Sequence, residues 1–334
     1  MLVLGIESSC DDLSIAVVES GRVLSNVTAS QTRDHAPFGG VVPEIASRRH
    51  LESLEATLEK SLQTAGVQLH ELEGIAATYA PGLVGSLLVG LNFAKSLAFA
   101  LKRPFRGVHH IEGHLWSAFI EHEARFPILA LAVSGGHTHL FHISEFGSYR
   151  LLGHTVDDAA GEAFDKVAKR LGLPFPGGPA IEALARQGNP RAFEFAVPQV
   201  KGHPLHTSFS GMKTAALEYL SKTQDLVAAD LAAGFQYGVV RALCAMLRRA
   251  LAQFPAMQLA VAGGVACNGP LREALAELAA EHGIELVLPA PKYCTDNGAM
   301  IAFTGERYLS QGLSSPLQLN AQARQSLGNE CVGA

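Results

Sequence analysis

His110 and His114 stand four residues apart in "HHIEGHLWSAF" (109–119), with Glu112 between them. An α-helix turns about 100° per residue, so residues four apart share a face and both imidazoles can reach one ion. Such a pair offers two neutral nitrogen donors to a zinc-like or iron-like cation. Glu112, two positions from each histidine, points to the far side of the helix. Ile111 takes the place where the HExxH pattern of zinc proteases carries its water-activating glutamate, so the segment is not built as a protease site. By spacing alone such a pair more often marks ordinary half-buried helix histidines, and a third ligand from elsewhere would reverse that. Asp296, in "PKYCTDNGAMIAF", precedes an apolar helix. It is either the N-cap of that helix or the carboxylate that completes the site from the other half of the molecule.

Other stretches carry groups suited to an anion or a nucleoside. "ESSCDD" places Glu7, Asp11 and Asp12 in a hairpin turn, where carboxylates suit metal, water or amine chemistry better than tight holding of a triphosphate. "AVSGGHTHL" can turn the successive backbone N–H groups of Ser134, Gly135 and Gly136 toward an anion. His137 and His139 follow, expected on opposite strand faces unless the turn distorts them. In "AGGVACNGPLREAL", Gly263-Gly264 ends a strand, Asn268 suits an N-cap and Pro270 suits the first helical position, which aims a helix N-terminus at the turn. In "GEAFDKVAKRLGLPFPGGPAIEAL", Asp165 can accept from ribose hydroxyls and Gly178 allows close approach, with a second helix from Pro179. Each has a plainer alternative: a polar hairpin loop, a capped strand-to-helix loop, or an Asp165–Lys169 pair on a solvated helix face.

Two copies of one plan position these residues. "LVLGIESSCDDLSIAVVESGRVLSNVTAS" and "ILALAVSGGHTHLFHISEFGSYRLLGHT" each read as three strands joined by short turns. Each half later has a strand that breaks at a Gly-rich turn and enters a helix, in "GIAATYAPGLVGSLLVGLNFAKSLAFAL" and "LAVAGGVACNGPLREALAELAA". This duplicated α/β order resembles the actin/hexokinase/Hsp70 superfamily, which implies two lobes around a nucleotide-binding cleft. The boundary is expected near Arg125-Phe126-Pro127, giving residues 1–126 and 127–296, with a helix at about 297–311 returning to the first lobe within 297–334. The tail from Leu313 reads as weakly structured.

Composition narrows the function classes. The 334 residues are 48% hydrophobic and 17% charged, with net charge −5, as in a well-buried globular protein. No apolar run is expected to reach the roughly 18 residues of a membrane span. "MLVLGIESS" lacks the basic region of a signal peptide. Five scattered cysteines (Cys10, Cys244, Cys267, Cys294, Cys331) without a CxxC pair fit a reducing cytoplasm. A nucleic-acid partner needs a local basic patch. Arg48, Arg49 and His50, on the amphipathic helix entered through "FGGVVPEIASRRH", supply one, with Lys102, Arg103 and Arg106 on the strand approaching the histidine pair.

Taken together, "GIESSCDD", "GGVVPEIASRRH", "YAPGLVGSLLVG", "HHIEGHLWS", "VSGGHTHL", "DDAAGEAFDKVAK", "PGGPAIEALA", "SFSGMKTA", "AGGVACN" and "TDNGAM" resemble the tRNA threonylcarbamoyladenosine transferase family, once described as O-sialoglycoprotein endopeptidases. The resemblance runs from Gly5 to Met300. It implies His110, His114 and Asp296 as ligands of one iron (Fe2+) or zinc ion per chain. Val133, Ser134, Gly135, Gly136 and His137 would lie along a bound adenylate, with Asp165, Gly178 and Asn268 at its nucleoside. Glu182, where many members carry Asp, would contact the ribose. The implied reaction moves threonylcarbamoyl from threonylcarbamoyl-AMP to the exocyclic amine of the adenosine 3′ of the anticodon, in tRNAs reading codons that begin with A. Implied partners are tRNA, a noncatalytic paralogue of the same fold and a small ATPase, with no membrane. Two departures stand out. Asp12-Leu13 replaces the commoner Glu-Thr, and Ala132 stands where archaeal and eukaryotic members often have Tyr, which makes the chain bacterial in type.

An aromatic amine is a poor nucleophile, so the transfer needs a polarised carbonyl, and a cation held by two imidazoles and one carboxylate keeps a net positive charge for that purpose. Asp11 or Asp12 is the candidate base for the amine proton. Arg48 and Arg49 are the candidate tRNA contacts. The alternatives are a metalloprotease acting on glycoproteins, against which the missing HExxH glutamate stands, and an actin-like ATP binder, whose Mg²⁺ would call for carboxylates rather than imidazoles.

Overall fold

The computed structural model describes residues 1–38, 40–223 and 227–330; Gly39 and Cys331 lie outside them. The chain forms two compact units. The first is Met1–His122 with Pro289–Leu327, and the second is Glu123–Leu288 with the chain end from Gly328.

In the first unit, β1 (Leu2–Glu7), β2 (Leu13–Glu19), β3 (Arg22–Ala29), β4 (Gly74–Ala80) and β5 (Phe105–His109) form one sheet in the order β3-β2-β1-β4-β5. β1 pairs antiparallel with β2 and parallel with β4. Its six residues are all buried, as a central strand covered on both faces requires. Leu4, Ile6, Ile15 and Ile75 are fully shut from solvent, and each such side chain contributes roughly 1.5–3 kcal/mol by burial. The helices of this unit begin with α1 (Thr32–His35), α2 (Pro43–Ala65), α3 (Val84–Leu101) and α4 (His110–Ser117). Pro43 opens α2, and the left-handed Gly66 closes it.

By length and composition alone, the 18 residues of α3, with mean hydropathy 1.6, are enough to cross a membrane. This corrects the expectation that no apolar run reaches that length. One face of the helix, with Leu91, Ala94 and Ala98, packs into the core that holds Leu4 and Ile75.

The second unit repeats the strand order. β6 (Ile128–Val133), β7 (Thr138–Glu145), β8 (Ser148–His154), β9 (Gln258–Ala262) and β10 (Glu285–Val287) run β10-β9-β6-β7-β8, with the short β11 (Asn329–Glu330) beside β8. Around them lie α5 (Ala160–Arg170), α6 (Gly177–Ala185), α7 (Ser210–Lys222), α8 (Ala228–Leu251) and α9 (Gly269–His282). α6 begins at Gly177, ahead of the expected Pro179. Each sheet is thus a three-strand meander followed by two parallel strands, and the duplication read from the sequence appears as one topology used twice.

α10 (Gly298–Leu309) belongs to the first unit. It lies so close to β1 that a Cβ on Gly5 would stand 2.3 Å from the Ala302 nitrogen. Any larger residue at Gly5 would lift the helix from the sheet. The division falls at His122/Glu123 rather than at Arg125–Pro127, because Gln258 on β9 binds both sides of this stretch. Its amide donates to the Glu123 carbonyl (3.0 Å) and its Oε1 accepts from the Arg125 N–H (2.7 Å). The returning segment starts at Pro289 rather than 297. Asp296 therefore sits in the same unit as His110 and His114, not in the other half as expected.

The tail from Leu313 has no helix or strand before β11, yet it is not loose. The Ser315 and Gln322 N–H groups donate to the Phe105 and Tyr79 carbonyls (2.7 and 2.9 Å). Leu319 and Ala321 pack on the first core.

Candidate metal centre and nucleotide site

β5 runs straight into α4, and this junction delivers the first histidine. The His109 side chain caps α4 by accepting from the Ile111 N–H at 3.2 Å, while its other nitrogen donates to the Gln325 carbonyl at 3.0 Å. One turn then brings the His110 and His114 rings to 4.6 Å between centroids. Glu112 turns away, as its spacing requires, and accepts from the Tyr308 hydroxyl.

Asp296 arrives from the start of α10. It is not the N-cap: Asn297 caps the helix, its Oδ1 accepting from the Met300 N–H at 2.9 Å. Asn297 also donates to the Thr295 carbonyl at 2.7 Å, and the Gly298 N–H donates to the Ser14 hydroxyl at 2.8 Å. These bonds hold Asp296 in place, with its Oδ1 3.0 Å from His114 Nε2 and 3.7 Å from His110 Nε2. One donor atom from each of the three residues lies within 4.8 Å of the others. Ligands of a tetrahedral ion at about 2.0–2.2 Å sit about 3.3 Å apart, so the set fits such an ion with little movement. Three such ligands would leave at least one position of a tetrahedral ion open, as catalytic sites do and structural ones do not.

Glu7 is the residue that sequence reasoning missed as part of this centre. It is fully buried on β1, and its Oε2 lies 3.2 Å from His110 Nδ1. The Ser9 N–H (2.6 Å) and the Thr78 hydroxyl (2.5 Å) also donate to it. Burial, and to a lesser degree the Asp296 charge, would raise the Glu7 pKa, but the His110 charge and the hydrogen bonds from His110 and Ser9 outweigh them and hold the carboxyl below its ordinary value. With Glu7 ionised, Nδ1 keeps its proton on that carboxylate, so Nε2, on the Asp296 side, is the nitrogen that would give up its proton to an ion, the usual role of a carboxylate behind a ligating histidine. The same surroundings act on His110. Burial disfavours its charged form, yet Glu7 and Asp296 prevail and push its pKa up to about 9. The pocket is thus built for a positive charge. The clue in the sequence was the position of Glu7 at the end of a wholly apolar strand, where a carboxylate needs dedicated partners.

Asp11 and Asp12 lie between β1 and β2. Asp12 Oδ1 accepts from the Gln31 N–H at 3.3 Å. Burial, with the Asp11 and Asp296 charges adding to it, raises its pKa to about 6. Arg49 is clamped by Glu52 and Asp34, each at 2.8 Å, while the neighbouring Arg48 helps line a surface groove of about 480 Å³ with Phe38 and Ile45. Lys102 and Arg103 are not on a strand. Lys102 caps α3 with a left-handed φ of 54°, and Arg103 donates to the His70 carbonyl at 3.2 Å. Arg106 is on β5 and stacks 3.7 Å over the Tyr308 ring.

In the second unit, Val133 ends β6 and a tight turn follows. The Ser134 N–H donates to the His137 carbonyl (2.8 Å), and the His137 N–H donates back to the Ser134 hydroxyl (3.2 Å). Cβ atoms at Gly135, Gly136 or Gly178 would meet nothing within 4 Å, so space is open at all three. The His137 and His139 rings are 5.4 Å apart, which corrects the expectation of opposite faces: residues two apart in a strand share a face.

Asp165 is not a solvated residue paired with Lys169. Its Oδ1 accepts from the Gly177 N–H at 2.6 Å and so holds the start of α6, and burial raises its pKa. Asn268 caps α9 through the Leu271 N–H (3.1 Å) and donates to Gln236 (2.8 Å) and Glu182 (3.2 Å). The structure therefore brings Asn268 and Glu182 into direct contact, and Gln236 joins them unforeseen. Gly263 is a second addition. Its φ is +99°, and a Cβ there would stand 2.3 Å from the Val133 carbonyl oxygen.

A sequence profile described as tRNA N6-adenosine threonylcarbamoyltransferase matches residues 22–303. The protein of that name from Geobacter sp. (strain M21) is 52% identical over 325 residues, covering 96% of this chain and 95% of its own. The chain belongs to the tRNA N6-adenosine threonylcarbamoyltransferase family. Solved structures agree on the fold. Component A of the (R)-2-hydroxyglutaryl-CoA dehydratase of Acidaminococcus fermentans superposes with TM-score 0.57 at 14% identity, over 93% of this chain and 99% of that one. The ROK hexokinase of Thermus thermophilus gives TM-score 0.52 at 17% identity, over 93% and 100%. The fold is thus the duplicated actin/hexokinase-like α/β class expected from the sequence. As a transferase of this family, the protein has no use for the glutamate of a protease HExxH, and Ile111 in its place is in keeping.

Proposed function

We propose that the protein transfers a threonylcarbamoyl group from threonylcarbamoyl-AMP to the exocyclic amine of the adenosine 3′ of the anticodon, in tRNAs reading codons that begin with A. The observation that carries this reading is the convergence of His110, His114 and Asp296 in a chain of this family. The three would hold one iron (Fe2+) or zinc ion, which when bound would supply a positive charge to polarise the carbamoyl oxygen. The chain's own groups do the rest. The Ser134–His137 turn and Gly178 make room for the adenylate, and Asn268 and Glu182 meet its nucleoside. The amine nitrogen bonds to the carbamoyl carbon, the bond from that carbon to the phosphate oxygen breaks, and AMP leaves. Asp12 takes the amine proton. A carboxyl with a pKa of about 6 is ionised at neutral pH and is a stronger base than an ordinary aspartate. The deciding experiment incubates purified protein, partners, threonylcarbamoyl-AMP and tRNA, then reads nucleosides by mass spectrometry. Absence of the modified adenosine, with casein or a glycoprotein cleaved instead, would overturn the reading.

Asp12→Asn is expected to lower turnover about 100-fold while adenylate affinity changes less than threefold. It also has a pH signature. The folded pKa of about 6 is above the ordinary 3.8, so the stability Asp12 contributes is complete below about pH 4 and is lost as pH rises through 6. The variant should therefore melt higher than wild type at pH 7.5 and equal to it at pH 4. Equal turnover would leave Asp11 as the candidate base, and equal melting at both pH values would remove the buried-carboxylate account.

The tRNA path rests on Arg48 more than on Arg49, whose charge is already met by Asp34 and Glu52. Arg48→Ala should weaken tRNA binding and reduce the slope of log affinity against log salt by about 0.7–0.9. Arg49→Ala should change that slope less. Identical salt titrations for wild type and Arg48→Ala would place the path elsewhere. A noncatalytic paralogue of the same fold and a small ATPase, carried over from the family, are the proposed partners. The proposed location is the cytoplasm, in keeping with five scattered cysteines that include no CxxC pair.

A further inference from the structure

A row of histidines in the second unit takes no part in the reaction described above. His139 on β7 and His154 at the end of β8 are register partners, with ring centroids 6.2 Å apart. The His206 ring lies 4.2 Å from that of His154, and the His203 ring 4.7 Å from that of His206. The His154 and His206 planes are tilted by 48° and those of His203 and His206 are stacked at 27°, whereas the His110 and His114 planes cross at 83°, so the row has its rings side by side and has to turn one of them to share an ion.

The backbone holds the row in place. The Thr207 N–H donates to the His154 carbonyl (3.1 Å), the Val156 N–H to the Thr207 carbonyl (2.9 Å), and the His206 N–H to the His203 carbonyl (3.0 Å). The loop that carries His203 and His206 is thus stitched to the end of β8.

The chemistry of the row suits a soft cation better than an anion. His154 Nδ1 lies 2.7 Å from the Thr155 carbonyl oxygen, so it carries the proton and donates. Its Nε2 is left with the lone pair, the arrangement in which a backbone carbonyl readies a histidine to ligate. Burial pushes the His139 pKa down to about 4, so this ring is neutral at physiological pH. The nearby carboxylates are engaged elsewhere. Asp157 accepts from the Phe209 and Ser210 N–H groups and from the hydroxyls of Ser208 and Ser210, and Asp158 pairs with Lys166 and Lys213. Among the described residues, three ligand atoms converge within 4.8 Å only at His110, His114 and Asp296. The histidine row needs one further motion. His203 is exposed, so its ring can turn without displacing packed atoms.

We propose that His154 and His206, with His203 turning in as the third donor, form a second site for a divalent transition-metal ion of the zinc, nickel or copper class. Imidazole nitrogens suit these ions. Bound there, the ion would tie the end of β8 to the loop that carries His203 and His206.

The test uses untagged full-length protein carrying His110→Ala and His114→Ala, so that the first centre is lost, and Zn²⁺ alone as the probe in equilibrium dialysis. One ion per chain is expected, with a thermal midpoint raised by Zn²⁺ because the ion binds the folded form. Adding His154→Gln and His206→Gln should weaken binding at least 30-fold and abolish the thermal shift. His203→Ala alone should weaken it about tenfold. Absence of a bound ion in the His110→Ala, His114→Ala background overturns the proposal, as does binding that survives loss of His154 and His206. If the quadruple variant does not fold, Cu²⁺ bound to the background variant decides by electron paramagnetic resonance. At least two coupled imidazole nitrogens are expected, and fewer overturn the site.

Discussion

His114→Ala is expected to abolish stoichiometric iron or zinc binding and to lower threonylcarbamoyl transfer by at least about 100-fold, with the fold retained. Two donors cannot hold a divalent ion against water as three can, and the lost charge is the one that would polarise the carbonyl. The fold should persist because His114 lies on an eight-residue helix, α4, and not on a central strand. Its side chain is 1% exposed, so a modest fall in the thermal midpoint accompanies the change. Glu7→Gln provides the graded companion. It leaves all three ligands in place and removes only the charge behind His110 Nδ1, 3.2 Å away. Metal affinity should then fall about 10–100-fold, and excess metal should restore most of the activity. Elemental analysis with kinetics reads both variants. Full occupancy in His114→Ala would sink the site, and an unchanged affinity in Glu7→Gln would make Glu7 a core residue with no role at the ion.

Gly263→Ala is expected to destabilise the second unit by about 2–4 kcal/mol and to cost adenylate affinity out of proportion to its size. The backbone at Gly263 has φ +99°, and the added carbon would stand 2.3 Å from the Val133 oxygen. That oxygen belongs to β6, immediately before the Ser134–His137 turn, so relief of the clash moves the proposed adenylate seat. Gly178→Ala is the control, because a Cβ there meets nothing within 4 Å; its melting should stay close to wild type. Calorimetric melts and adenylate titration check both. A Gly263→Ala protein that melts and binds like wild type would show that the β6–β9 end tolerates the shift.

Much of this architecture was legible before folding. The alternation of wholly apolar strands with amphipathic helices, and the repetition of one order in two halves, reflect local rules: side-chain period, turn residues and caps. The Asn268 cap of α9 and the shared face of His110 and His114 follow from positions a few residues apart, where helix geometry alone decides who meets whom. Family motifs spread from Gly5 to Met300 added the reaction.

Long-range packing decided the rest. Asp296 is 182 residues from His114 in the chain, and no local rule could tell an N-cap from a ligand. The choice was made where α10 lies against β1 and Asn297 takes over the capping. Glu7 looked like one more acid in a polar turn until burial forced it to find partners, and the partners were Thr78, Ser9 and His110. Arg49 looked like a free cation until folding set Asp34 beside it. The tail from Leu313 carries no periodic pattern, yet it is ordered by single backbone bonds to β4 and β5. The sequence by itself determined which segments become strands and helices, because those depend on neighbours along the chain. The tertiary structure alone decided which carboxylate faces an ion, which faces a cation and which lies buried, because desolvation and pairing depend on neighbours in space.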